Sequence, residues 1–187
     1  RTLTVRHNLA RVLRDQGEVG QARREFEDIL ARMRETLGDT HPRTLTVRHN
    51  LARVLRDQGE VGQARREFED ILAHRRETLG DTHPRTLTVR HNLARVLRDQ
   101  GEVGQARSEF EAVLARMRVS LGDTHPSTLI VRHELARVLH DQGEVGQARR
   151  EFEAVLAHRR ETLGDTHPST LATRRELGDL QLPRAVD

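Results

Sequence analysis

Residues 43–84 read RTLTVRHNLARVLRDQGEVGQARREFEDILAHRRETLGDTHP, and this block of 42 recurs along the chain almost unchanged. Residues 1–42 differ from it only in Arg32 and Met33, where the second block has His74 and Arg75. Residues 85–126 bring Ser108, Ala112, Val113, Val119 and Ser120, and residues 127–168 bring Ser127, Ile130, Glu134 and His140. Four units and a remainder of 19 residues account for all 187. A fixed period of this size signals repeated supersecondary units rather than one irregular core.

Each unit reads as two helices. Leu45, Val47, Leu51, Ala52, Val54 and Leu55 recur at helical spacing and give one apolar face. Pro84 and its equivalents suit a first helical turn, where the missing N–H costs nothing. Gly59 suits a left-handed stop. Val61, Ala64, Phe68, Ile71, Leu72 and Leu79 mark the second helix, which Gly80 ends. Asp-Thr-His-Pro then turns the chain into the next unit. The spacing predicts helices of about 16 and 18 residues, or about 24 and 27 Å. A hairpin with a single Phe cannot cover both of its faces alone, whereas a stack of hairpins can.

Composition removes several functional classes. There is no Cys, so there is no disulfide framework, thiolate metal site or cysteine nucleophile. No apolar run approaches the length of a membrane span. All 32 basic residues are Arg against 29 acids, a net charge of +3 with the signs interleaved. The pI of 10.8 reflects arginine's high pKa rather than a strong positive field. Near-identical units hold several copies of every acid–His–Thr grouping and no single broken-symmetry constellation, so an enzyme is not expected. Gly59 and Gly62 form no phosphate loop, because no strand precedes them and no Gly-Lys-Ser/Thr follows. His41, His83, His125 and His167 lie before prolines one repeat apart; they are expected to cap helices, and no metal or other cofactor is expected.

Asn50-Leu51-Ala52, Arg56-Asp57-Gln58-Gly59, Ala64, Phe68, Leu79-Gly80 and His83-Pro84 together resemble tetratricopeptide repeats, in the 42-residue form of kinesin light chains. Similar arrays occur in bacteria, often attached to signalling ATPases of the STAND type. The resemblance spans residues 1–182. It implies an all-α fold, a right-handed α-solenoid of helix-turn-helix repeats. The expected domain is 1–182, with units 1–42, 43–84, 85–126 and 127–168, a cap helix 169–182 ended by Pro183, and a tail 183–187. Thr173, Gly178 and Gln181 stand where interior units carry Val47, Ala52 and Leu55, which predicts a solvent-facing cap. Two departures stand out. Pro84 follows Phe68 by sixteen residues rather than eight. Arg48, with Arg6, Arg90, Arg132 and Arg174, occupies a first-helix position usually filled by a large apolar side chain. An arginine there needs an acidic partner or a route to water, with Glu67 and Glu69 as candidate partners.

The resemblance also implies a concave groove lined by first helices. Its positions fall on His7, Asn8, Arg11, Arg14, His49, Asn50, Arg53, Arg56, His91, Asn92, Arg95 and Arg98, with Thr46 and Asp57 on the same stripe. Arginine and asparagine there would hold carboxylates and peptide backbone. The expected role is a non-catalytic protein–protein interaction scaffold for an acidic protein or peptide, without membrane association and in the cytoplasm. Two other readings are a sensor segment of a larger signalling ATPase and a nucleic-acid-binding repeat array. The chain begins at Arg1 rather than Met, so a fragment of a larger protein is expected. The first unit lacks polar replacements at Leu3, Val5, Leu9, Val12 and Leu13, which predicts self-association through an uncapped end.

Overall fold

The structure, a computed structural model, describes residues Thr2–Leu180. Helices alternate along them, and no strand occurs among the described residues. The first helices of the repeats are α1 (Leu3–Asp15), α3 (Pro42–Asp57), α5 (Pro84–Asp99) and α7 (Pro126–Asp141). The second helices are α2 (Val19–Leu37), α4 (Val61–Leu79), α6 (Val103–Leu121) and α8 (Val145–Leu163), and α9 (Pro168–Asp179) follows. The repeat is thus all-α, and full first helices have 16 residues against 19 for second helices. Gln181, Leu182 and Pro183, assigned above to the cap helix and its end, lie outside the described residues.

The punctuation residues act as their chemistry requires. His41, His83, His125 and His167 are N-caps, each accepting at Nδ1 from the backbone N–H two residues on at 3.1 Å. The following proline occupies the first helical turn. Gly59 has φ +81°, a region that glycine enters without steric cost. Gly80 combines φ 85° with ψ 166°, a mirror-extended conformation that is essentially glycine-only.

The helices form two compact units, Arg1–Gln100 and Gly101–Asp187. In the first, α1 to α5 pack each on the next, and α1, α3 and α5 also meet side by side. In the second, α6 to α9 pack consecutively. Phe26, Phe68, Phe110 and Phe152 are fully buried, as are Ala22, Ala64, Ala106 and Ala148. The large-against-small packing read from the sequence therefore recurs in the core at α2, α4, α6 and α8.

The arginine in the packed layer is held by acids, as its burial demands. Arg48 bonds Glu67 at 2.9 Å and Asp70 at 2.5 Å, with Asp39 at 3.4 Å. Arg6 pairs with Glu25 and Asp28, Arg132 with Glu151, and Arg174 with Asp165. Glu69, the other candidate, instead pairs with Arg65 along its own helix. It lies on the exposed side of α4, away from the first helix that carries Arg48.

Thr173 also departs from expectation. It is fully buried rather than solvent-facing. Its hydroxyl donates to the Ser169 carbonyl at 2.9 Å and accepts from Arg159 Nη1 at 2.6 Å. A buried hydroxyl is tolerated when it is bonded in this way. Gly178 is exposed, in keeping with a solvent-facing cap at that position.

Candidate functional site

The first-helix stripe divides into a buried layer and an accessible layer. Helical spacing places its members on one face but does not register how closely α1, α3 and α5 stack. His49, Asn50 and Asn92 are buried, with 8%, 7% and 5% exposed. They form rungs between successive repeats: Asn50 Nδ2 lies 2.8 Å from His7 Nε2, and Asn92 Nδ2 lies 3.3 Å from His49 Nε2. These amide groups, expected above to meet a peptide backbone, are engaged inside the protein.

The second rung fixes a protonation state. Asn92 Nδ2 also donates to the Thr88 carbonyl at 2.9 Å, so this end of the amide is the N–H₂ group and His49 Nε2 accepts. The imidazole proton then sits on Nδ1, which is buried without a hydrogen-bond partner. The ring packs edge-on against Phe68 at 5.3 Å. Burial, and then the charges of Arg75 and Arg53, push His49 down to about 3. His7, half-buried against Phe26, is pushed down in the same direction by burial and by Arg11.

Three of the expected arginines are tied to aspartates. Arg14 meets Asp15 at 3.2 Å and Asp57 at 3.3 Å. Arg56 meets Asp57 at 2.8 Å and Asp99 at 3.7 Å, and Arg98 meets Asp99 at 3.3 Å. Asp57 and Asp99 thus each bridge successive repeats. Arg53 differs. It is half-buried, and burial with the like charges of Arg14, Arg95 and Arg56 pushes it down to about 10, with only Asp57 opposing. Asn8, Arg11 and Thr46 are exposed, and His91 and Arg95 are half-buried.

Arg75 and Arg85, outside the expected stripe, line a cleft together with Thr46 and His49. Arg75 on α4 is buried, with 6% exposed. Its Nη1 donates to the Arg85 carbonyl at 2.9 Å. The signal was present in the sequence as one of two differences between the first two units, Met33 against Arg75, but a second-helix position did not suggest a link to the groove. Among the described residues, no cluster of three or more His, Asp or Glu is placed to hold a metal ion. No described helix is long and apolar enough to cross a membrane.

Stacked helical hairpins with a polar first-helix face define a helical-repeat protein. The tetratricopeptide repeat model matches residues 1–77, 48–118, 91–150 and 130–184, so the chain belongs to the tetratricopeptide repeat family. The crystal structure of the nearly identical TPR-like repeats of Podosopora anserina, named as a kinesin light chain, is 36% identical with a TM-score of 0.76. The alignment covers 95% of this chain and 84% of that one. BtubC from P. vanneervenii aligns at 20% identity and a TM-score of 0.74, over 92% of this chain and 68% of that one, which bears on fold alone. No curated protein matches the chain significantly. Tetratricopeptide repeats are generally protein–protein interaction modules and typically non-enzymatic scaffolds.

Proposed function

We propose that the first-helix face of the Arg1–Gln100 unit holds an extended peptide carrying acidic side chains. The observation that supports this most directly is Arg53, a half-buried guanidinium with three cationic neighbours, Arg14, Arg95 and Arg56, and one opposing acid. A carboxylate there relieves repulsion and gains charge-assisted bonds. Exposed Arg11 and Asn8 extend the surface. One such contact is worth about 1–2 kcal/mol, so a few of them give micromolar affinity, on the order of 8 kcal/mol in all. Titration of a fluorescent acidic peptide library against the wild type and an Arg53→Glu, Arg95→Glu double variant tests the reading. Binding should weaken with salt and disappear in the variant. Equal binding by both, or selection of basic peptides, overturns it, and preference for single-stranded nucleic acid favours the other class of partner.

A second reading concerns self-association. Val5 and Val12 are 51% and 50% exposed, whereas Val47 and Val54, their equivalents one repeat later, are 1% and 0% exposed. Val47 and Val54 pack against the preceding repeat, and a like surface from a second copy of the chain would fit the outer α1 face. Sedimentation should show association that rises with concentration and is lost in a Val5→Glu, Val12→Glu variant. A strict monomer at high concentration rules it out.

A further inference from the structure

Two clefts in the Arg1–Gln100 unit differ essentially by one side chain. Between α1, α2 and α3, a cleft of about 530 Å³ includes Thr4, His7, Met33, Arg43 and Thr46 in its wall. One repeat on, Thr46, His49, Arg75, Arg85 and Thr88 line a cleft of about 250 Å³. These are the same five positions displaced by 42 residues, and four of them keep their residue type. Only Met33 has become Arg75.

Stacking does not call for that arginine. Met33 packs half-buried against the core of its hairpin, and Met117 stands at the same position two repeats later. Arg75 is more deeply buried than Met33, and among the described residues no carboxylate pairs with it. Burial and the second guanidinium, Arg85, both push it below the ordinary arginine range. No acid lines the cleft. His49 adds a neutral ring with an unpartnered N–H. Two uncompensated cations, one of them desolvated, are a costly arrangement without a ligand.

We propose that the Arg75–Arg85 cleft binds a phosphomonoester dianion. Two guanidiniums match a charge near −2, whereas a single carboxylate would leave one cation unbalanced. Their planar forks suit the three terminal oxygens of a phosphate. Arg85 lies in the first turn of α5, where the helix dipole also favours an anion. A neighbouring cavity of about 200 Å³ opens on the same two arginines and is walled by Pro42, Leu45 and Leu79, which leaves room for the group that carries the phosphate. The Gly101–Asp187 unit supplies an internal contrast. There Arg159 repeats Arg75, but Ser169 replaces Arg85, and Glu134 supplies a compensating charge.

This site stands whether or not the first-helix stripe holds a peptide. Calorimetric titration with O-phosphoserine at fixed ionic strength tests it, with glutamate and dimethyl phosphate as probes of a single negative charge. Phosphoserine should saturate one site and bind at least about tenfold more tightly than either comparison probe. Arg75→Met installs the residue that two other units carry, so the fold is retained, and circular dichroism checks this. It should weaken phosphoserine binding by about ten- to a hundredfold. Arg85→Gln, at an exposed side chain, should do likewise, while Arg159→Met should have no effect. The Arg53→Glu, Arg95→Glu variant should keep one saturable phosphoserine site, so failure of the peptide reading is scored separately. Equal binding of glutamate or dimethyl phosphate, undiminished binding by Arg75→Met, or no saturation at millimolar phosphoserine overturns the proposal.

Discussion

Arg75 and Arg159 occupy the same position in two copies of one repeat, and their surroundings are opposite. Each donates from Nη1 to a backbone carbonyl ten residues on, Arg85 at 2.9 Å and Ser169 at 3.0 Å. Beyond that bond they diverge. Arg159 also donates to the Thr173 hydroxyl and feels the negative charge of Glu134. Arg75 has Val89 and Asn50 where those residues stand, and the charge acting on it is the like charge of Arg85. A near-identical repeat therefore keeps its apolar layer constant and sets the electrostatics of each cleft with a few polar replacements. In one copy the protein neutralises its own buried cation, and in the other it leaves the cation for a ligand.

The largest expected effect checks that the apolar layer really is shared. Phe68→Ala and Phe152→Ala should each cost about 3–5 kcal/mol, through lost transfer energy and the cavity left behind. Urea denaturation measures both. A difference between them above about 1 kcal/mol would show that the contrast extends into the core.

The next effect concerns the Arg75 side. His49 ionises in the unfolded chain at about 6.5 but is pushed down to about 3 when folded. Its contribution to stability is therefore complete above the unfolded value. It is lost as pH falls, because the unfolded state takes up a proton that the native state refuses. Between pH 7 and pH 5 the loss should reach about 2 kcal/mol from this ring. Denaturation midpoints across that range should show the slope, and His49→Gln should flatten it. An unchanged slope in the variant would assign the effect to other groups.

The hairpins, their caps and the Phe–Ala core were legible because the signals are local and recur: proline after His83, glycine after Gln58, apolar spacing around Phe68. Arg48 was legible as a problem needing an acid, and Glu67 as part of the answer. Asp70 and Asp39 were not, because reach across a helix pair depends on side-chain direction as well as spacing. The groove residues were harder still. Helical period placed His49, Asn50 and Arg53 on one stripe, but only the stacking of successive first helices decides that His49 and Asn50 are internal while Arg53 keeps access to solvent. Thr173 misled for a related reason. A polar residue at an apolar position suggests exposure unless its partner is known, and Arg159 lies fourteen residues away on another helix.

The third effect concerns the self-neutralised cleft. Glu134 is buried, with 7% exposed, and Arg137 reaches it only at 3.6 Å. Arg159→Met removes the buried cation that faces it and takes away the shorter contact to the Thr173 hydroxyl, leaving His133 Nδ1 at 3.4 Å. Loss of such a partner costs about 1–3 kcal/mol. The variant should be destabilised by that amount in urea, and adding Glu134→Asn, the residue found in the other units, should restore most of the loss. Failure of the second change to rescue would mean that the arginine acts through its backbone bond rather than through charge.

The smallest effect has the opposite sign. Arg75→Met removes a desolvated cation that faces another cation, and it installs a side chain that packs half-buried at Met33. The Arg85 carbonyl loses one donor, worth about 1 kcal/mol. Against that stand the relief of guanidinium repulsion and of burial without an acid. The two nearly cancel, so the variant should differ from the wild type by less than about 1 kcal/mol, on the stabilised side. Added phosphoserine separates the two clefts further. A ligand that binds only the folded state raises stability in proportion to the logarithm of its concentration. Wild type and Arg159→Met should therefore both gain in urea midpoint as phosphoserine is added, while Arg75→Met should not. A parallel gain in Arg75→Met would place the ligand elsewhere, and Arg75 would then be a second-helix strap to α5, differing from Arg159 only in its neighbours.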